Sequence, residues 1–88
     1  MNTRFKPLFF RHLKKITDKP LKEEIAQTIQ SVEKAGEKND IPGLKKMKGY
    51  KIYYRIKVGD YRIGVTIENN IVTFSAFMHR KDIYKFFP

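Results

Sequence analysis

Residues 50–62 read Tyr50-Lys51-Ile52-Tyr53-Tyr54-Arg55-Ile56-Lys57-Val58-Gly59-Asp60-Tyr61-Arg62. Even positions from Tyr50 to Val58 are apolar or aromatic. Odd positions are Lys51, Tyr53, Arg55 and Lys57. A period of two marks a strand with one face on a core and one in water. Here the wet face carries only positive charge and one aromatic ring, and Gly59-Asp60 ends the strand in a tight turn.

Working outward, Asn69-Asn70 makes a second turn signal, and both dipeptides tolerate the positive φ of two-residue hairpins. Two such turns set a register. Val58 pairs with Tyr61, Lys57 with Arg62, Ile56 with Ile63 and Arg55 with Gly64. In the next hairpin Glu68 pairs with Ile71, Thr66 with Thr73, Val65 with Phe74 and Gly64 with Ser75. Strict alternation then gives an apolar face of Ile52, Tyr54, Ile56, Val58, Tyr61, Ile63, Val65, Ile67, Val72, Phe74, Ala76 and Met78. The opposite face gets Lys51, Tyr53, Arg55, Lys57, Arg62, Gly64, Thr66, Thr73, Ser75, Phe77 and His79. Arg80 falls on the apolar side under this alternation and needs a bend after His79 to join the basic one.

Upstream, residues 2–6 admit a short added strand. Pro7 suits a first helical turn, and Phe9, Leu13 and Ile16 follow at helical spacing. His12 on this helix reads as structural. Asp18 is a cap for a second helix with Pro20 just inside, Glu23 and Glu24 in its first turn, and Gly36 as a left-handed stop. Its stripe is Leu21, Ile25, Ile29 and Val32. Residues 7–35 therefore predict a helical hairpin whose apolar face covers the apolar face of the sheet. Residues 37–49 read as a loop by their Pro and Gly content. Leu44 and Met47 can tuck under the core, and Lys45, Lys46 and Lys48 form a basic cluster, solvated in the first reading and touching phosphate in the second. The tail from His79 reads as a turn or short helix. The fold class is α+β in two layers, as a single domain over residues 1–88.

The balance of 19 Lys and Arg against 9 Asp and Glu gives net +10. The excess is concentrated in residues 45–88, where ten basic residues meet three acidic ones. A basic face on a small domain points first to nucleic acid, then to an acidic partner. No cysteine is present, which removes thiolate nucleophiles and thiolate metal sites. No signal core or spanning segment is visible, so the cytoplasm is the expected compartment and no membrane partner is expected. No cofactor is expected either. RNA needs no protein nucleophile, because its own 2′-hydroxyl can attack the neighbouring phosphate. The protein then has to orient the strand, take a proton, stabilise the phosphorane and protonate the leaving oxygen. Lys57 crowded by Arg62 is one candidate base, and His79 is the alternative acid or base. Arg55 opposite Gly64 marks a depression in the sheet, with Tyr53 and Phe77 as stacking surfaces for bases.

The segments Lys48-Gly49-Tyr50, Tyr54-Arg55-Ile56-Lys57-Val58-Gly59-Asp60-Tyr61-Arg62 and His79-Arg80-Lys81-Asp82-Ile83-Tyr84 resemble the RelE/ParE toxin superfamily of type II toxin–antitoxin systems, over essentially the whole chain. The resemblance implies a metal-independent, ribosome-dependent mRNA endonuclease that cuts in the A site and is held in a hetero-oligomer by a cognate antitoxin. It implies Lys57 as base and Arg62 as the phosphate clamp. Arg80 would assist the leaving group, and Tyr84 would orient or stack on a base. Arg55 stands where a lysine is often found; it can clamp phosphate but cannot act as a base. His79 could share the acid–base work. Lys48, Lys51 and Tyr53 extend the substrate-binding set with Arg55. Two alternatives stay open: a ParE-like gyrase poison on the same fold, and a non-catalytic RNA- or ribosome-binding module.

Overall fold

The computed structural model describes all 88 residues, Met1–Pro88. The expected hairpin of helices is present as α1 (Pro7–Lys14) and α2 (Lys19–Lys34). Asp18 caps α2, its carboxylate accepting the Leu21 N–H at 3.4 Å. Two details differ from expectation. Glu23 and Glu24 lie beyond the first turn, which starts at Lys19. The helix also stops without a left-handed residue, because Ala35 is extended at φ −65°, ψ 137°. Its last carbonyls are instead met by the Met1 ammonium, which donates to Val32, Glu33 and Ala35 at 3.3, 3.1 and 2.6 Å. That contact makes the positive φ of a terminal glycine unnecessary.

Five strands form one sheet in the order β1-β5-β4-β3-β2. They are β1 (Asn2–Phe5), β2 (Leu44–Lys46), β3 (Tyr53–Val58), β4 (Tyr61–Glu68) and β5 (Ile71–His79). The added N-terminal strand is real and runs parallel to β5. The stretch 37–49, expected as loop, contains a 3-10 turn at Lys38–Asp40 and the edge strand β2. A three-residue strand flanked by Gly and Pro carries too little pattern to be seen locally; β3 provides its hydrogen-bond partners. Strand β3 starts at Tyr53 rather than Tyr50. Before it the chain folds tightly, Met47 N–H donating to Tyr53 O at 2.9 Å and Tyr50 N–H to Met47 O at 3.2 Å.

The two hairpin turns are as expected. Gly59 takes φ 57°, as the first central residue of a II′ turn must. Asn69 and Asn70 take 53° and 62°, the paired positive values of a I′ turn. The register from Tyr53↔Thr66 to Val58↔Tyr61 and from Val65↔Phe74 to Glu68↔Ile71 follows. The pairing Gly64↔Ser75 does not form. A β-bulge inserts Ser75, so that Gly64 faces Ala76 and Ile63 faces Phe77. One extra residue reverses every side chain beyond it. Phe77 joins the core beneath the helices, while Ala76 and Met78 turn to the other face. Placing the phenylalanine in the larger core and the alanine in the small cluster under the tail is the more favourable split by apolar area.

The main core lies between the helices and the sheet, around Phe9, Ile25, Val32, Ile56, Ile63, Val65, Val72, Phe74 and Phe77. Phe74 is fully buried and stacks on Phe5 at 4.9 Å, with Phe9 at 5.4 Å. A second, smaller cluster of Met47, Ala76, Ile83 and Phe87 sits on the opposite face. It is built by α3 (Ile83–Phe86), the expected short C-terminal helix. No helix is long and apolar enough to cross a membrane.

Past Lys6, whose N–H donates to Phe74 O, β1 no longer covers β5. His12 takes over there. Its Nδ1 accepts the Phe77 N–H at 3.0 Å, which requires an unprotonated Nδ1. Burial, then Lys15, then Arg11 lower its pKa from 6.5. Between that lowered value and 6.5 the unfolded chain binds more protons, so this contribution to stability is complete above about pH 6.5 and declines as pH falls through the folded value. We expect the urea-midpoint advantage of wild type over His12→Asn to shrink from pH 7.5 to pH 5.5. Parallel midpoints across that range would remove His12 as the cause.

Candidate active site

The face away from the main core carries Arg55 and Lys57, spaced by one on β3. Arg62 on β4 is directly opposite Lys57. Both sets are placed by strand pairing, so their spacing is that of a sheet rather than of a mobile loop. The Arg62 guanidinium is drawn toward the hairpin turn, its Nη1 donating to Gly59 O at 3.0 Å and Tyr61 O at 2.8 Å. Those bonds moderate the like-charge opposition to Lys57, which would otherwise cost stability.

Arg55 is half-buried and doubly held. Its Nη1 donates to Gly43 O at 2.9 Å, and its Nε to the Tyr84 hydroxyl at 3.2 Å. A strand residue and a tail residue 29 positions apart are thus brought together at this face. Tyr53 is half-buried, its ring edge-on to Phe87 at 5.5 Å and to the half-exposed Tyr50 at 5.5 Å. Lys48 and Lys51 are exposed in the turn between β2 and β3. Arg80 is exposed just past β5, where its N–H donates to Asp60 O at 2.8 Å. The chain turns immediately after His79, over residues 80–82, with the Asp82 N–H donating to His79 O at 2.9 Å, so Arg80 leaves the strand at the bend the sequence required.

Three expectations about this face are corrected. His79 does not share it: it pairs with Tyr61, ring edge-on at 5.4 Å, on the side of the helices. There it lines a groove of about 450 Å³ with His12, Lys15 and Asp82. Phe77 is no stacking surface for bases, being 4% exposed in the main core and stacked on Tyr61 at 5.1 Å. The depression at Gly64 is filled by Phe87, whose ring atoms lie 2.7–2.8 Å from where a Cβ would stand. The signal that could have revealed the first two is the spacing Val72, Phe74, Phe77. Two intervals of unequal length in one strand are what a bulge leaves in a pattern of large apolar residues.

The chain matches known proteins along nearly all of its length. Residues 3–84 match the family model described as the ParE toxin of the type II toxin–antitoxin system, parDE. The chain belongs to the RelE/ParE toxin superfamily. A curated relative of this toxin, Toxin RelE3 of Methanocaldococcus jannaschii, is 36% identical over 89 residues, with both chains covered in full. Among solved structures, the RelB-RelE antitoxin-toxin complex from Methanococcus jannaschii matches with a TM-score of 0.80 and 34% identity. It covers 97% of this toxin and 99% of that chain. The YoeB dimer from Staphylococcus aureus matches with a TM-score of 0.72 at 21% identity, covering 91% and 97%. At that identity the likeness is one of fold. The architecture, with α1 and α2 on one face of a mostly antiparallel sheet, is that of the RelE toxins. The family model carries the ParE name and the full-length relative the RelE name, and a shared fold does not choose between their activities.

Proposed function

We propose that this toxin is an mRNA endonuclease acting in the ribosomal A site. The observation that supports the reading best is the junction of Arg55 with the Tyr84 hydroxyl beside the facing pair Lys57 and Arg62. Cations held by paired strands, with an exposed phenol at their margin, suit a phosphate flanked by an unstacked base.

In this scheme the 2′-oxygen attacks the adjacent phosphorus and the P–O5′ bond breaks. The products are a 2′,3′-cyclic phosphate and a 5′-hydroxyl end. Lys57 takes the 2′ proton. Arg62 and Arg55 carry the charge that builds on the non-bridging oxygens. Arg80 stabilises the charge on the leaving 5′-oxygen, which takes a proton from water to become the 5′-hydroxyl, and Tyr84 orients a neighbouring base. Lys57 rather than His79 is assigned the base, since His79 stands on the other side of the sheet. Lys48, Lys51 and Tyr53 extend the phosphate and base contacts along the strand. Neither metal nor cofactor has a step. The ribosome presents the message, which places the reaction in the cytoplasm.

A cognate antitoxin is the proposed partner, in a hetero-oligomer. The support is the net charge of +10, which suits an acidic fold-on-binding segment, and the relative solved with RelB. The test is to add the toxin to a translating extract and map message 5′ ends. We expect cuts in phase with codons that leave 5′-hydroxyl ends. An intact message under sustained translation would overturn the reading. The ParE family match favours one second reading, gyrase poisoning. It would show as gyrase-dependent DNA breaks with messages whole.

A further inference from the structure

We propose that Phe87, seated over Gly64, is a positioning residue that sets the Tyr84 hydroxyl on Arg55. Helix α3 has four residues, and a single turn does not hold itself together in water. Tyr84 is 59% exposed and gains little from burial. A hydrogen bond between exposed groups competes with water and persists only where its partners are already held. The anchors of this turn are Ile83 and Phe87, both buried on either side of Tyr84.

The seat of Phe87 is specific. A Cβ on Gly64 would lie 2.7 Å from Phe87 Cδ2, so the ring occupies the volume that any other residue on β4 would fill. Tyr53 closes on the ring edge-on, at 5.5 Å and 81°. Gly64 is also the residue directly opposite Arg55. The ring therefore sits at the root of the Arg55 side chain, and one helical turn back brings Tyr84 over its Nε. The missing side chain at Gly64 serves to register the tail against Arg55. The inference rests on the cleavage reading only for the activity arm of its test.

The test follows the Arg55 Nε–H signal by NMR in the full-length toxin. In wild type it exchanges slowly with solvent. Tyr84→Phe removes the acceptor and speeds exchange about tenfold, the size of one ordinary hydrogen bond. We expect Phe87→Ala to do the same although the hydroxyl remains, and Gly64→Ala likewise by displacing the ring. Phe87→Leu, which keeps an apolar plug, should retain slow exchange. Unchanged amide signals of Ile25 and Val32, on α2 in the separate main core, establish that each variant is folded. Wild-type exchange in folded Phe87→Ala would overturn the proposal. In the activity arm, Phe87→Ala and Tyr84→Phe lower the cleavage rate by similar factors, and the double variant falls no further. Losses that multiply would show that Phe87 acts apart from Tyr84. If wild type cuts no RNA, the cleavage reading falls and the exchange data judge Phe87 alone.

Discussion

Lys57→Met is expected to lower codon-phased cleavage by about 10²–10⁴-fold, the usual contribution of a positioned general base. The same substitution should leave the fold intact or slightly firmer. Lys57 is exposed and faces Arg62 across the β3–β4 ladder. Removing one of two opposed cations relieves what repulsion the Arg62 bonds to Gly59 O and Tyr61 O leave in place. Activity and stability should therefore move in opposite directions, which a substitution that merely unfolds the protein cannot do. The measurement pairs cleavage rates with urea midpoints, and Lys57→Arg separates the base from the charge. Arginine keeps the cation but cannot take the proton, so it should remain as impaired as Met. Wild-type rates in Lys57→Arg would reassign the base while leaving the phosphate site in place.

Phe74→Ala should cost about 3–5 kcal/mol, the range for truncating a buried aromatic residue. A domain of this size has about 5–15 kcal/mol in total. The ring is fully buried and links three elements, stacking on Phe5 of β1 and packing against Phe9 of α1 from its own place on β5. Its loss opens the seam where the parallel strand and the first helix meet the sheet. The urea midpoint should fall steeply, and toxin effects should vanish with it. Phe86→Ala is the control, because that ring is 67% exposed and its removal should stay within about 0.5 kcal/mol. Equal midpoints for the two variants would mean that the aromatic cluster is not the centre of stability.

Much of the architecture was legible from local pattern. Gly59-Asp60 and Asn69-Asn70 carry the backbone freedom their turns require, and a hairpin turn dictates the pairing of the strands it joins. Arg55, Lys57 and Arg62 could be placed on one face for that reason. Asp18 and Pro20 marked the start of α2 by the same kind of local chemistry. What lay beyond reach depended on contacts distant in sequence. Strand β2 exists because β3 offers it an edge. The end of α2 needed no glycine because the Met1 ammonium reaches its carbonyls. Gly64 looked like an open depression, since nothing near it in sequence announces that Phe87 fills it.

By itself, the sequence determined the two-layer α+β fold, the two hairpin registers near their turns, and the basic set on β3 and β4. A strand's period of two and a turn's demand for positive φ act within a few residues. Only the tertiary structure decided which face Phe77 and His79 occupy, and whether Tyr84 meets Arg55. An inserted residue at Ser75 costs a ladder pairing locally. The return, Phe77 under the helices and Ala76 against the tail, comes from surfaces supplied by segments far away in the chain.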